Sequence, residues 1–111
     1  ALEGLGQLIR TIGLVQQHYN PTLVVSTMLV TMFDKRTLLG REVFQEVKNH
    51  YPNIVLNTTI PRTVKIPEAP SFNQSVITYD PHGTGAVSYR EAALEIANKS
   101  DAILITKLLL L

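Results

Sequence analysis

The chain has 111 residues, of which 45% are hydrophobic and 17% charged, with a formal net charge of +1. That length suits one small domain, and the apolar fraction excludes a disordered chain. So small a charge is not the electrostatic footprint of a dedicated nucleic-acid binder. With no cysteine, disulfide frameworks, thiolate metal sites and cysteine nucleophiles are excluded.

The first residues already carry helical periodicity. Leu2, Leu5, Leu8, Ile9, Ile12 and Val15 recur at threes and fours over residues 2–18, which predicts an amphipathic helix. Gly4, Gly6 and Gly13 weaken it, each by about 1 kcal/mol relative to alanine. Asn20-Pro21 ends it, because proline disfavours helical geometry in the residue before it. Residues 22–33, TLVVSTMLVTMF, are β-branched and almost continuously apolar, as in a strand buried on both faces of a parallel sheet. A second helix is expected over 38–50, where the apolar positions Leu39, Val43, Phe44 and Val47 recur at threes and fours, closed by Tyr51-Pro52. Residues 54–60, IVLNTTI, read as a second strand stopped by Pro61. A strand–helix–strand unit of this length implies a right-handed crossover and a parallel pair.

Between Pro61 and Pro81 the chain carries four prolines, and a long structured loop is expected there. It would contain at most a helical turn, with an extended piece near Val76–Thr78. Tyr79-Asp80-Pro81-His82-Gly83 reads as a turn with Asp80 as a local cap. A last helix is expected after Gly83-Thr84-Gly85, running to about Lys99 with Ala86, Tyr89, Ala93, Ile96 and Ala97 on one face. The order of elements describes half of a doubly wound α/β sheet. With no initiator methionine or signal peptide at Ala1, the chain reads as a piece of a longer protein. The apolar run ending in four leucines, interrupted by Lys107, is shorter than the ~20 residues of a membrane span.

The common catalytic constellations are absent. His18, His50 and His82 lie too far apart in sequence for a helical ligand pair and read as surface or turn residues. Glu42 and Glu46 are best explained as a solvated helix face, and no serine sits in a G-x-S-x-G elbow. Gly83-Thr84-Gly85 lacks the preceding strand of a dinucleotide fingerprint and reads as a turn. No G-x-x-x-x-G-K-[ST] occurs, so these residues supply no phosphate cradle of that kind. What remains is a pair of loops at the carboxyl ends of the two strands, where open α/β sheets bind ligands. They are Thr31-Met32-Phe33-Asp34-Lys35-Arg36-Thr37 and Ile60-Pro61-Arg62-Thr63-Val64-Lys65-Ile66-Pro67-Glu68-Ala69-Pro70-Ser71.

The same loops carry a resemblance. Thr31–Thr37 matches T-M-x-D-x-R-T, and Ile60–Ser71 matches I-P-R-x-V-x-x-x-E-A-P-S. Together with ALEGLGQLIRTIGLVQ and the stretch to about residue 99, the chain resembles the C-terminal half of ParA/Soj-type partition ATPases. These are deviant-Walker P-loop proteins related to MinD and the nitrogenase iron protein. The resemblance implies the C-terminal half of a doubly wound, mostly parallel P-loop NTPase sheet over 1–99, with an atypical hydrophobic tail over 100–111. It implies that the phosphate-binding lysines, the Mg²⁺ ligands and the catalytic aspartate lie outside these residues. This chain alone would then hold neither ATP nor Mg²⁺ and have no catalytic or metal-binding residue of its own.

For the site, the resemblance places adenine between Met32, Pro61 and Thr63. Some relatives have asparagine at the position of Met32, and the amide that asparagine would offer is absent here. Residue types alone also allow a plainer reading, in which Met32 ends a strand and Pro61 breaks one. The resemblance further gives Arg36 and Lys65 to sequence-independent contact with double-stranded DNA by an ATP-bound homodimer; the alternative is two solvated loop cations. It leaves Arg62 open between nucleotide and dimer contacts, and sets Glu68–Ser71 at the border of the dimer interface. A ParB-like centromere-binding partner and a cytoplasmic, nucleoid-associated location in a bacterium follow from the same likeness. Two other readings stay open: a MinD-like positioning ATPase, disfavoured by a tail with Lys107 as its one cation, and a non-catalytic, self-associating interaction module. In that last reading, residues 102–111 would cover an open sheet edge.

Overall fold

The computed structural model describes the backbone of residues 2–110 and the side-chain surroundings of residues 3–99. Helix α1 (Leu2–His18) is followed by strand β1 (Met28–Phe33), helix α2 (Leu38–His50) and strand β2 (Val55–Pro61). Two short helices, α3 (Lys65–Glu68) and α4 (Val76–Tyr79), flank a 3₁₀ turn at Ala69–Phe72, and α5 (Thr84–Leu110) closes the chain. The strands pair in parallel. This is the α/β arrangement that alternating strand and helix patterns require.

Several boundaries differ from expectation, each for a local reason. The apolar run before Met28 is not strand. Its ladder begins where Met28 N–H donates to the Ile54 carbonyl at 2.8 Å, and β2 offers no described partner further back. Val24 is consequently 70% exposed. In α1 the inward positions are Leu5, Ile9, Ile12 and Val15, whereas Leu8 turns outward. The Gln16 amide then holds the following loop by donating to the Leu23 carbonyl at 2.6 Å.

The stretch after β2 is more helical than its prolines suggest. Pro67 lies within α3, and Pro70 stands in the first positions of the 3₁₀ turn, where a missing N–H costs little. Val76–Tyr79 is a helical turn rather than an extended piece, because Ser75 Oγ caps it by accepting from Thr78 N–H. Asp80 closes that turn through its backbone N–H to the Val76 carbonyl. Helix α5 runs past Lys99 to Leu110. The side chains of 100–111 lie outside the described residues, as does any covering role for 102–111.

The core sits between β2 and α5. Leu56, Ile60 and Ala92 are buried together, with Leu29, Ile66 and Tyr89 packed around them. The inward face of α5 is therefore Ala86, Tyr89 and Ala92; Ala93, Ile96 and Ala97, expected on that face, are exposed. On the other side β1 meets α2 through Phe33 and Phe44, whose rings are tilted at 5.7 Å.

The pairing register is irregular in a way that shapes the strand ends. Met28 pairs with Val55, Val30 with Thr59 and Phe33 with Pro61. One stretch of β2 thus carries extra residues around Asn57 and Thr58, and one stretch of β1 carries an extra residue around Thr31 and Met32. Such bulges bend a strand and re-aim its side chains.

Candidate functional site

Both loops leave the carboxyl ends of the parallel strands and are tied together. Arg62 N–H donates to the Phe33 carbonyl at 3.3 Å, which fixes the start of the second loop against the end of β1. Of the cavities around this tie, two hold the candidate residues of the second loop and Arg36.

The first, of about 520 Å³, is lined by Thr31, Met32, Ile60, Pro61, Arg62, Thr63, Val64, Ile66, Pro67 and Tyr89. Met32, Pro61 and Thr63 thus share one compartment. Met32 reaches it from a left-handed backbone, φ 52°, a conformation that costs a non-glycine residue about 1–2 kcal/mol. The bulge in β1 produces this turn and leaves Met32 66% exposed. Outliers of this kind concentrate at ligand sites. Pro61 offers a rigid ring opposite, and Thr63 Oγ1 accepts from Lys65 N–H at 3.3 Å. The floor depends on Gly85: a Cβ there would lie 3.0 Å from Ile66 Cγ1 and 3.2 Å from Thr63 Cγ2. A glycine at this point lets α5 approach the loop closely, a part that the lone GxG turn does not disclose. Tyr89 and Ile66 complete the wall. Periodicity puts Tyr89 on the buried face of its helix, but only the approach of α5 to the second loop brings it here.

The second cavity, of about 650 Å³, lies between the first loop, β2 and α5, and is lined by Phe33–Arg36, Asn57–Thr59, Pro61, Arg62, Thr84, Ser88 and Glu91. Arg36 stands at its wall in a fork with Asp34. Its Nε donates to Oδ1 at 3.0 Å, its Nη2 to Oδ2 at 3.1 Å, and its backbone N–H to Oδ1 at 3.0 Å. The hydrogen bond from the Arg36 side chain, seconded by its backbone N–H and by the charges of Arg36 and Arg62, holds the Asp34 carboxyl below the ordinary carboxylate range. The same bond pushes the Arg36 guanidinium further up. The pair is local, an i,i+2 arrangement that D-x-R permits, and the motif by itself does not single it out. The Arg36 side chain remains 86% exposed, with Nη1 turned to no protein acceptor among the described hydrogen bonds.

Lys65 lines neither cavity. It begins α3, with Nζ 3.9 Å from Glu68 Oε2 and 5.8 Å from the centre of the Tyr79 ring. Tyr79 O–H donates to the same Glu68 oxygen at 3.0 Å and stacks on Phe72 at 5.2 Å. The Glu68 bond raises the Tyr79 pKa. Arg36 and Lys65 are therefore both exposed, each beside its own carboxylate, on separate parts of the two loops. His18, His50 and His82 are exposed, and no group of three or more metal-ligand side chains occurs among the described residues. No helix among them is long and apolar enough to cross a membrane.

No protein-family model matches the chain. Individual proteins do. It is 47% identical over 97 residues to the sporulation initiation inhibitor protein Soj of Bacillus subtilis, covering 87% of this chain and 38% of that protein. It is 41% identical over 96 residues to the chromosome-partitioning ATPase Soj of Thermus thermophilus, covering 86% and 39%. This is a Soj/ParA-type segment. The chromosome partitioning protein ParA of Caulobacter vibrioides matches at 39% identity over 99 residues, 89% of this chain and 37% of that protein. The chain spans less than two-fifths of the length of these relatives. Its α/β pattern with a parallel strand pair fits a part of the Soj/ParA fold.

Proposed function

We propose that this Soj/ParA-type segment supplies the base-facing and DNA-facing loops of an ATP-dependent chromosome-partitioning protein. The observation that supports the reading best is the convergence of Met32, Pro61 and Thr63 on one cavity at the carboxyl ends of two parallel strands. Its volume, about 520 Å³, lies within the range of small-molecule sites, and its walls are chiefly apolar, as a purine face requires. The flexible thioether of Met32 and the flat ring of Pro61 close on the two faces of adenine. Backbone groups of the Pro61–Val64 stretch read its edge. The triphosphate and Mg²⁺ are held by the parts of the relatives' length that this chain does not span, since no Walker A sequence is present. The segment alone is catalytically inert.

In the same reading, Arg36 and Lys65 each neutralise a DNA phosphate when ATP pairs two copies, and a ParB-like partner stimulates hydrolysis. Lys65 keeps the charge of an arginine but not its bidentate fork. Two tests address the two halves. In the complete protein, Met32→Ala should weaken adenine nucleotide binding several-fold, measured by calorimetry; unchanged affinity would refute the base site. Arg36→Ala with Lys65→Ala should flatten the salt dependence of DNA binding, by about 0.9 in the log–log slope for each phosphate no longer neutralised. A slope equal to that of the unmodified protein would refute the DNA role.

A further inference from the structure

Helix α5 reaches back to the bulge of β2 with a single carboxylate. Glu95 Oε2 accepts from the Asn57 backbone N–H at 2.7 Å and Oε1 from the Thr58 N–H at 2.9 Å. In a regular strand these consecutive amides would point to opposite edges. Here the extra residues between the Val55 and Thr59 pairings free both for the same acceptor. Among the described residues β1 is the one strand paired with β2, so this contact lies on a strand with a second edge to protect. Lys48 of α2 holds the same point from another direction, donating to Asn57 Oδ1.

The sequence of the strand makes that protection consequential. Val55-Leu56-Asn57-Thr58-Thr59-Ile60 has three β-branched side chains at its far end, one at its start, no charge and no proline. Six-residue segments of this composition pair with copies of themselves when an edge is flat and its donors are free. Natural sheets prevent this with bulges and with charges at the edge.

We propose that Glu95 is an edge guard: by taking the Asn57 and Thr58 amides and fixing the bulge, it bars a second copy of this chain from adding its own Val55–Ile60 strand to β2. The occupant excluded is a like strand because the recognising surface is backbone plus uncharged side chains, which only a strand of similar character completes. A carboxylate also does what a neutral cap does not, since two copies bring two like charges to the shared edge.

The test uses the 111-residue chain. Glu95→Ala is compared with the unmodified protein and with Glu95→Ala carrying Asn57→Asp, which puts a charge at the exposed edge position and keeps an acceptor for Lys48. Self-association is followed by thioflavin fluorescence and sedimentation velocity, with circular dichroism reporting the fold. Glu95→Ala should assemble into β-rich species at least about tenfold faster, because it removes two hydrogen bonds to a charged group, either of which alone carries about that factor. Asn57→Asp should return the rate to that of the unmodified chain. Equal rates for Glu95→Ala and the unmodified chain would overturn the proposal. So would assembly of the double variant as fast as the single one, because that result assigns the association to general unfolding and not to the β2 edge.

Discussion

Glycine-to-alanine substitution should have opposite signs at two helical positions of this chain. At Gly13, in α1, an added Cβ meets nothing within 4 Å, so alanine gains only the lower backbone entropy of its unfolded state, about 1 kcal/mol. At Gly40, in the first turn of α2, the same Cβ would stand 2.5 Å from the Asp34 carbonyl oxygen and 2.8 Å from Thr37 Oγ1. Neither atom yields easily. The Asp34 carbonyl accepts from Thr37 N–H and Thr37 Oγ1, and Thr37 Oγ1 caps α2 by accepting from Gly40 N–H at 3.0 Å. Relieving the clash opens that cap, worth about 1 kcal/mol, and adds overpacking strain of about 1–3 kcal/mol. Set against the helical gain of alanine, Gly40→Ala should destabilise by about 1–3 kcal/mol. With a urea slope of about 1–3 kcal/mol/M, the midpoints of the two variants should separate by roughly 1 M or more. Urea titration followed by far-UV circular dichroism measures this. A Gly40→Ala midpoint shifted upward like that of Gly13→Ala would show that the Asp34–Thr37 turn deforms freely, and would refute this reasoning.

Thr37→Ala should cost about 1 kcal/mol by removing the cap, and less on top of Gly40→Ala, because the two act on one hydrogen bond; a double-mutant urea series reads the coupling. Met32→Val should destabilise by about 1–2 kcal/mol while Met32→Gly does not, since a β-branched residue is at its worst at φ 52°; thermal melts compare them. Leu56→Ala, at a fully buried position, should cost about 2–5 kcal/mol and remove most cooperative unfolding from the calorimetric trace. Burial raises the Glu95 pKa, but the Asn57 and Thr58 amides outweigh it and set it below its ordinary value. A folded pKa below the unfolded one means that the contribution is whole above the ordinary value and is lost as pH falls through the folded one. The drop in urea midpoint between roughly pH 5 and pH 3 should therefore be smaller in Glu95→Ala than in the unmodified chain.

The elements most legible in the sequence are those whose periodicity is decided locally. Residues 2–18 and 38–50 are helices as their spacing predicts, and the parallel pairing follows from a strand–helix–strand order. The length of β1 is not legible, because an apolar run does not say which of its residues find a partner. Pro67 and Pro70 read as breakers, yet in a first turn they are compatible with helix. The inward face of α5 departs from its periodic assignment because alanines occur all round it, and only packing against Leu56 and Ile60 selects Ala86, Tyr89 and Ala92. For the site, the rule that ligands bind beyond strand carboxyl ends locates both loops, and the resemblance singles out three residues that line one cavity. Tyr89, Ile66 and the Glu95 clasp come from distant parts of the chain, where spacing alone carries no sign of them.

Pro61 and Arg62 belong to the walls of both cavities, and the Arg62–Phe33 hydrogen bond pins that shared partition to β1. The two compartments are like rooms on either side of one panel. A molecule in the apolar room and an anion in the other would therefore touch the same two residues. Neither room has a shape of its own, so a variant that alters the partition should be measured for both occupants at once.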